Sequence, residues 1–460
     1  MYKINFQKPC HIHFMGIGGI SMSGFAELLH TLGFKITGSD HIESEITKHL
    51  ENLGIPIIYE QVASNITKDI DLVVFTAAIH EDNEEFISAK LANIPMMDRA
   101  EMVGQVMKNY SRAIAVSGTH GKTTTTSMIS HIMLAANLDP TISVGGILKA
   151  IHGNIRIGKS ENFIIEACEY TNSFLKFHPT IGVILNIEAE HLDFFKGLQD
   201  IRDSFHSFAS LLPNNGLLVI NGEINNYQEI AKDITAPYVS YALNNDAVDF
   251  TAKNISFNDF ACGSFDLYHK NCFVDRIDLK LVGMHNISNS LAAIAVAYEL
   301  KIPINQIKEG LSTFTGTNRR FEYKGEVGGV TIIDDYAHHP TEVKASLESA
   351  INYPKKTLWC VFQPHTYSRT RSFLPDFARS LSLADKIVLA DIYSAREKDS
   401  GDISSLDLKR ELEKLGKEVY YFPSFDEIEN FLLENCTNGD LLITMGAGDI
   451  VTIGETLLGL

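Results

Sequence analysis

The chain has 460 residues, enough for about three domains of ordinary size, and 45% of them are hydrophobic, enough to fill substantial cores. A formal net charge of −18 argues against a broad basic surface for nucleic acid, yet it leaves room for an anionic nucleotide held in a local pocket. The sequence holds no apolar run of the ~20 residues a membrane span needs, and its opening, MYKINFQKPC, carries no secretory-signal pattern. Six scattered cysteines without a CxxC pair lead us to expect free thiols in a cytoplasmic protein rather than a disulfide framework or a zinc site.

In chain order, residues 11–15 read as a short strand, followed by the turn Gly16-Ile17-Gly18-Gly19-Ile20-Ser21. A helix is expected over residues 25–32 and a second strand over 34–37, leading to Asp40. This is the pattern of a dinucleotide-binding turn, with Asp40 near where a ribose-binding carboxylate sits, although Ser21 holds the place of the third glycine. The same physics serves any ligand with a diphosphate and a ribose, a UDP-sugar included. A nicotinamide cofactor, or a strand-to-helix turn without a ligand, are the alternatives. Residues 71–75 read as a further strand and 100–108 as the helix leading out of this segment.

The second segment opens with a strand at 113–116, then Gly118-Thr119-His120-Gly121-Lys122-Thr123, ahead of a helix expected over 124–134. A strand, a glycine turn and a helix N-terminus gather several backbone N–H donors in one concavity. Lys122 adds a point charge beside phosphate oxygens, and the Thr123 hydroxyl suits an accompanying Mg²⁺. The loop is shorter at its front than the usual phosphate-loop pattern, because Val116 stands where the first glycine belongs. Apolar runs at 163–167 and 180–186 read as buried parallel strands. Their ends carry Glu166, Cys168 and Glu169, and Asn186, Glu188, His191 and Asp193.

Ligands of open α/β sheets gather at such carboxyl ends, so Mg²⁺ against nucleotide phosphates is the functional reading, with Glu169 and His191 foremost. Solvated loop residues are the plain alternative. Residues 217–219 and the polar stretch to about 280 are expected to form edge structure. Gly283-Met284-His285-Asn286 leads into an alanine-rich helix over 289–299, where short amides either cap the helix or face a nucleotide. Arg319 and Arg320 close the segment; an arginine beside a phosphate loop can oppose charge on a transferred phosphoryl group.

The third segment, from about residue 321, has strands expected at 330–333, 358–362, 386–390 and 441–444. Their ends read DDYAHHP, then QPHTYSRTR, then Asp391 with Ala395-Arg396-Glu397, and finally GAGD. Four apolar strands with polar or glycine-rich ends again indicate α/β architecture with one functional edge.

Taken in order, GTHGKTTTT (118–126), EACEYTNSFL (166–175), NIEAEHLD (186–193), HNISN (285–289), TNRRFE (317–322), DDYAHHP (334–340), QPHTYSRTR (363–371) and GAGD (446–449) resemble the motif series of the bacterial Mur ligase family, most closely its alanine-adding branch. The resemblance covers all three segments. It implies an α/β protein with a Rossmann-like UDP-sugar-binding domain over 1–108, a P-loop ATPase-like central domain over 109–324 and a Rossmann-like amino-acid-binding domain over 325–460. The implied activity joins L-alanine to the lactoyl carboxylate of UDP-N-acetylmuramate, using ATP and Mg²⁺ and passing through an acyl phosphate, in peptidoglycan precursor synthesis.

By the same resemblance, Gly118, Thr119, His120, Gly121, Lys122, Thr123 and Thr124 bind ATP phosphates, and Thr123, Glu169 and His191 carry Mg²⁺. His285, Asn286, Asn289 and Arg320 surround ATP. Gly16, Gly18, Gly19, Ser21 and Asp40 take the nucleotide sugar; the family's usual glycine run, close to GIGGxGMSG, is GIGGISMSG here. Tyr336, His338, Arg369 and Arg371 line the region for alanine and the muramate carboxylate. Lys122, Glu169, His191, Arg320 and His338 are the expected catalytic groups, with His339 an alternative to His338 on the amine. Monomer and homodimer fit equally. A murein tripeptide-recycling ligase and a non-catalytic nucleotide sensor are the competing readings. Because water destroys an acyl phosphate, closure of the third domain and binding of alanine last are expected.

Overall fold

The computed structural model describes residues 2–76, 78–192, 194–395, 397–399 and 401–460; Asp193 and Arg396 lie outside the described residues. The chain divides into two units, Met1–Tyr241 with Ala292–Ile302, and Ala242–Leu291 with Pro303–Leu460.

The first unit begins with a five-stranded sheet in the order Ile57–Ile58, Lys35–Ser39, His11–Met15, Leu72–Phe75, Met96–Asp98, every pair parallel. Its central strand, HIHFM, is buried throughout, as expected where helices cover both faces of a parallel sheet. The following helix starts at Ile20, five residues earlier than expected, because Met22 and Phe25 bury an apolar face that outweighs the weak helix preference of Ser21, Ser23 and Gly24.

A larger sheet of the same unit runs Tyr238–Leu243, Leu217–Asn221, Ile181–Ile184, Arg112–Ser117, Asn162–Glu166, Thr141–Leu148, Gly153–Arg156. All neighbours are parallel except the last pair. Leu217–Asn221 is therefore an interior strand, not the expected edge; its LVIN residues are fully covered on both faces. One hydrophobic core runs through both sheets of this unit, from Ile12 and Phe25 to Phe163, Phe174 and Phe208. At Gly104 the helix Arg99–Met107 approaches the chain so closely that a Cβ would stand 2.0 Å from the Lys176 carbonyl oxygen.

In the second unit, Phe250–Phe257, Cys262–His269 and Cys272–Val282 form an antiparallel meander, in keeping with the polar, edge-like sequence there. Its main sheet runs Glu322–Val327, Val330–Asp335, Leu441–Met445, Leu358–Phe362, Lys386–Leu389, Glu418–Tyr421, antiparallel only in the first pair. The helix Met284–Glu299 begins before the expected residue 289, which places His285, Asn286 and Asn289 inside its first turns. Among the described residues no helix is long and apolar enough to cross a membrane, and all six cysteines are free thiols.

Candidate active site

The phosphate-loop residues leave the buried strand Arg112–Ser117 and enter the helix Lys122–Ala135 through Gly121, whose φ of 82° lies in the left-handed region. Gly118, at φ 143°, passes so near the neighbouring strand that a Cβ would meet that of Leu185 at 2.9 Å. The loop is fastened by Asn186, which the sequence marked only as a polar strand end. Its Oδ1 accepts from His120 N–H at 2.7 Å, its Nδ2 donates to the His120 carbonyl at 3.1 Å, and its own carbonyl accepts from Thr119 N–H at 3.2 Å. The Thr119 hydroxyl in turn accepts from Glu188 N–H at 2.9 Å, and His120 Nε2 lies 3.5 Å from the Glu188 carboxylate.

Lys122 folds back over this loop. Its ammonium donates to the Gly118 and Thr119 carbonyls at 2.5 and 3.1 Å and to Glu169 Oε2 at 3.0 Å. Burial is the largest influence and works against its charge, but Glu169, together with Cys168 and Glu166, outweighs that cost and holds its pKa above the ordinary value. Thr123 donates its hydroxyl to Glu166 Oε2 at 3.0 Å, and Thr124 follows in the first helical turn.

Glu169 is 2% exposed, and its Oε1 accepts no hydrogen bond among the described residues while facing His191 Nε2 at 3.9 Å. A buried carboxylate oxygen costs free energy unless something positive meets it. The Thr123 hydroxyl, Glu169 and His191 thus offer a donor set suited to a divalent cation at the phosphate loop, and the residues fit Mg²⁺. Two features hold this set in place: the Tyr170 ring lies 4.5 Å from the His191 ring, and Thr171, Asn172 and His191 all adopt positive φ. Non-glycine residues in that region carry strain, which concentrates at functional sites.

The glycine turn is held from the end of the second strand. Gly16 and Ile17 N–H donate to the Ser39 carbonyl at 2.9 and 3.0 Å, and Gly18 N–H donates to Asp40 Oδ2 at 2.8 Å. Asp40 thus anchors the turn itself, besides its expected place near a ribose. Gly19 precedes the helix, and Ser21 accepts a hydrogen bond from Arg99 Nη1 at 3.0 Å. Below lies a buried polar network absent from the sequence reading. Glu85 accepts from Ser39 Oγ and Asn65 Nδ2, both at 2.5 Å, and faces His13 Nε2 at 3.4 Å.

In the second unit the two adjacent arginines divide their labour. Arg319 is committed to the fold, donating to Asp334 at 3.0 Å and to the Gly446 and Gly448 carbonyls at 2.8 Å each. Arg320 lies 3.9 Å from Glu342 and 5.2 Å from the Tyr336 ring. Asn286 donates to the Val282 carbonyl at 2.9 Å and accepts from Asn289 at 3.1 Å, so these amides brace the helix start, while His285 stands exposed beside them.

The paired histidines take opposite tautomers. His338 Nδ1 meets the Tyr336 carbonyl at 2.9 Å and must donate to it, which leaves Nε2 as an acceptor. His339 caps the helix Pro340–Ile351 by accepting from Thr341 N–H at 3.4 Å through Nδ1, which leaves Nε2 as a donor. Burial pulls the His338 pKa below its ordinary 6.5, so its imidazole is neutral at pH 7. Arg369 reaches His365 Nδ1 at 2.8 Å, and the His365 ring lies 5.5 Å from that of His338. Arg371, two residues further along the same helix, turns to another face and pairs with Asp402 at the surface. His365 and Glu342 are thus part of the cluster that Tyr336, His338, Arg320 and Arg369 form, and only the fold reveals them.

Comparison with known proteins places the whole chain in one family. A Mur ligase middle-domain profile matches residues 116–297, a profile for the Mur ligase family catalytic domain matches 11–111, and one for the Mur ligase glutamate ligase domain matches 319–448. The chain is 59% identical to a UDP-N-acetylmuramate–L-alanine ligase of Lachnoclostridium phytofermentans, with 100% of each covered. It is 52% identical to one of Clostridium botulinum, with 98% of each covered. A solved UDP-N-acetylmuramate–alanine ligase from Thermotoga maritima superposes with a TM-score of 0.81 at 29% identity, covering 98% of both chains. A murein peptide ligase from Psychrobacter arcticus, at 24% identity, shares the fold with a TM-score of 0.70 over 98% of both chains. The chain therefore belongs to the Mur ligase family, in its UDP-N-acetylmuramate–L-alanine ligase branch.

Proposed function

We propose that this protein joins L-alanine to the lactoyl carboxylate of UDP-N-acetylmuramate at the expense of ATP, a cytoplasmic step of peptidoglycan precursor synthesis. The observation that carries this is the phosphate-loop Lys122 bound to a buried Glu169 whose second oxygen faces His191. A nucleotide sensor needs no such cation-ready carboxylate. In this reading residues 1–108 hold the nucleotide sugar, 109–324 hold ATP and 325–460 hold the amino acid.

A carboxylate resists amine attack because it would have to expel oxide; phosphorylation by ATP makes it an acyl phosphate with a competent leaving group. Thr123, Glu169 and His191 would hold Mg²⁺, which supplies charge neutralisation for phosphate oxygens when bound. The loop N–H groups and Lys122 orient the phosphates, and Lys122 exchanges its carbonyl contacts for phosphate oxygens. His285, Asn286, Asn289 and Arg320 are assigned to ATP, with Arg320 opposing charge on the transferred group. Tyr336 and Arg369 are assigned to alanine and the sugar carboxylate, whereas Arg371, expected there from the sequence, is paired with Asp402 on another face of the helix. His338, neutral with an accepting Nε2, is the group able to take a proton from the alanine ammonium, whereas His339 presents a donor.

The test is phosphate release with ATP, Mg²⁺ and UDP-N-acetylmuramate, with and without L-alanine, and the product mass read in the same sample. Alanine-dependent phosphate with a mass gain of one alanyl residue supports the assignment. Product with the murein tripeptide but not alanine would move it to the recycling enzyme, and silence with both would sink the ligase reading.

A further inference from the structure

Arg99 opens the helix Arg99–Met107 directly after the strand Met96–Asp98, at the carboxyl edge of the five-stranded sheet where ligands of such folds gather. Nη1 donates to Ser21 Oγ, on the first turn after the glycine-rich loop. Among the described residues this is the guanidinium's one hydrogen bond, and it pairs with no carboxylate. The adjacent acid is already committed: Asp98 Oδ1 caps the Glu101 N–H at 3.0 Å, and Oδ2 takes the Lys176 ammonium. Cys168 is close enough to feel the charge, but burial raises its pKa and keeps it a neutral thiol.

A guanidinium carries five N–H donors and stays charged at any working pH. Here burial opposes that charge and outweighs the attraction of the neighbouring Asp98, whose oxygens the helix cap and Lys176 already claim. The surroundings select the kind of anion. On one side stands the glycine turn assigned to the nucleotide sugar. On the other, Cys168 adjoins Glu169 and also interacts with Lys122. The close approach at Gly104 presses this helix against Lys176, at the end of the short helix Tyr170–Lys176 that follows Glu169.

We propose that Arg99 binds an oxyanion of the nucleotide sugar, either its diphosphate or its lactoyl carboxylate, and so sets the substrate's position between the glycine turn and the phosphate loop. The inference rests on the nucleotide-sugar reading given above. Affinities of the wild type, Arg99→Gln and Arg99→Lys for UDP-N-acetylmuramate, for UDP-N-acetylglucosamine (same diphosphate, no lactoyl carboxylate) and for ATP test it, alongside melting temperatures.

Loss of charge-assisted hydrogen bonds predicts that Arg99→Gln weakens UDP-N-acetylmuramate binding by about 10- to 100-fold, that Arg99→Lys recovers part of it, and that ATP affinity is kept. Equal losses for both sugars assign the diphosphate; a loss confined to UDP-N-acetylmuramate assigns the carboxylate. Unchanged binding of UDP-N-acetylmuramate by Arg99→Gln overturns the inference. So does a loss matched by falls in ATP affinity and melting temperature in both variants, since that marks a structural role. Wild-type protein that binds ATP but neither UDP-sugar would instead overturn the functional reading, and this inference with it.

Discussion

The chain builds two glycine-rich turns on the same plan, a buried parallel strand, a bend and a helix, and completes them differently. In the phosphate loop the cation is Lys122, the first helical residue, with its charge balanced by Glu169. The glycine turn itself contains no lysine or arginine; a guanidinium reaches it from Arg99, 78 positions from Ser21. The lysine has a carboxylate partner and the arginine has none. A turn that must exchange a contact for ligand keeps its cation charged with an internal partner, whereas a cation with open donors is already arranged for ligand.

The sharpest break of this comparison is Lys122→Met. It should lower the rate of ADP formation by about 10²- to 10³-fold, the cost of removing one preorganised charge donor, while UDP-N-acetylmuramate binding measured by calorimetry stays within about twofold. Loss of both affinities together would show that the two turns do not work independently. Glu169→Gln should raise the Mg²⁺ concentration needed for half-maximal rate by about 10- to 100-fold, read from an Mg²⁺ titration at saturating ATP. If the requirement stays put, the unpaired oxygen is not a metal ligand.

Asp335, in the other unit, provides a separate control. Burial pushes its carboxyl up to about 6 from 3.8, against the lowering effect of the Ser346 hydroxyl and Arg320. The folded form then keeps a proton that the unfolded chain has released. Stability should fall as pH rises from about 4 to about 6 and level off above, by up to about 3 kcal/mol. Asp335→Asn should flatten that slope in denaturant midpoints measured across the window; an unchanged slope would mean that other groups carry it. The smallest effect is expected at Asp40. Asp40→Asn weakens the hydrogen bond that holds Gly18, and should raise KM for UDP-N-acetylmuramate by about tenfold with KM for ATP unmoved.

The phosphate loop and its carboxylate were legible because their chemistry is local. Six consecutive residues make the loop, and Glu169 lies just past a strand whose apolar run announces itself. Both helix starts at Ile20 and Met284 were read too late, since serine, glycine and asparagine there look like turn residues until tertiary packing covers Met22 and Ile287. Arg319 and Arg320 look equivalent in a row of letters, yet the carbonyls of Gly446 and Gly448 claim only the first. The same holds for His338 and His339, whose opposite tautomers depend on one backbone carbonyl and one backbone N–H.

From sequence alone came the α/β class, the order of segments, the family and the groups proposed to meet phosphate, because strand periodicity and glycine turns act over a few residues. Tertiary structure decided which polar residues are braces and which are available. It buried Glu85 under the glycine turn, clamped His120 with Asn186, turned Arg371 away from Arg369 and set Arg99 beside Ser21. The physical reason is that a side chain's role follows from what meets its donors and acceptors, and those partners lie tens of residues away along the chain.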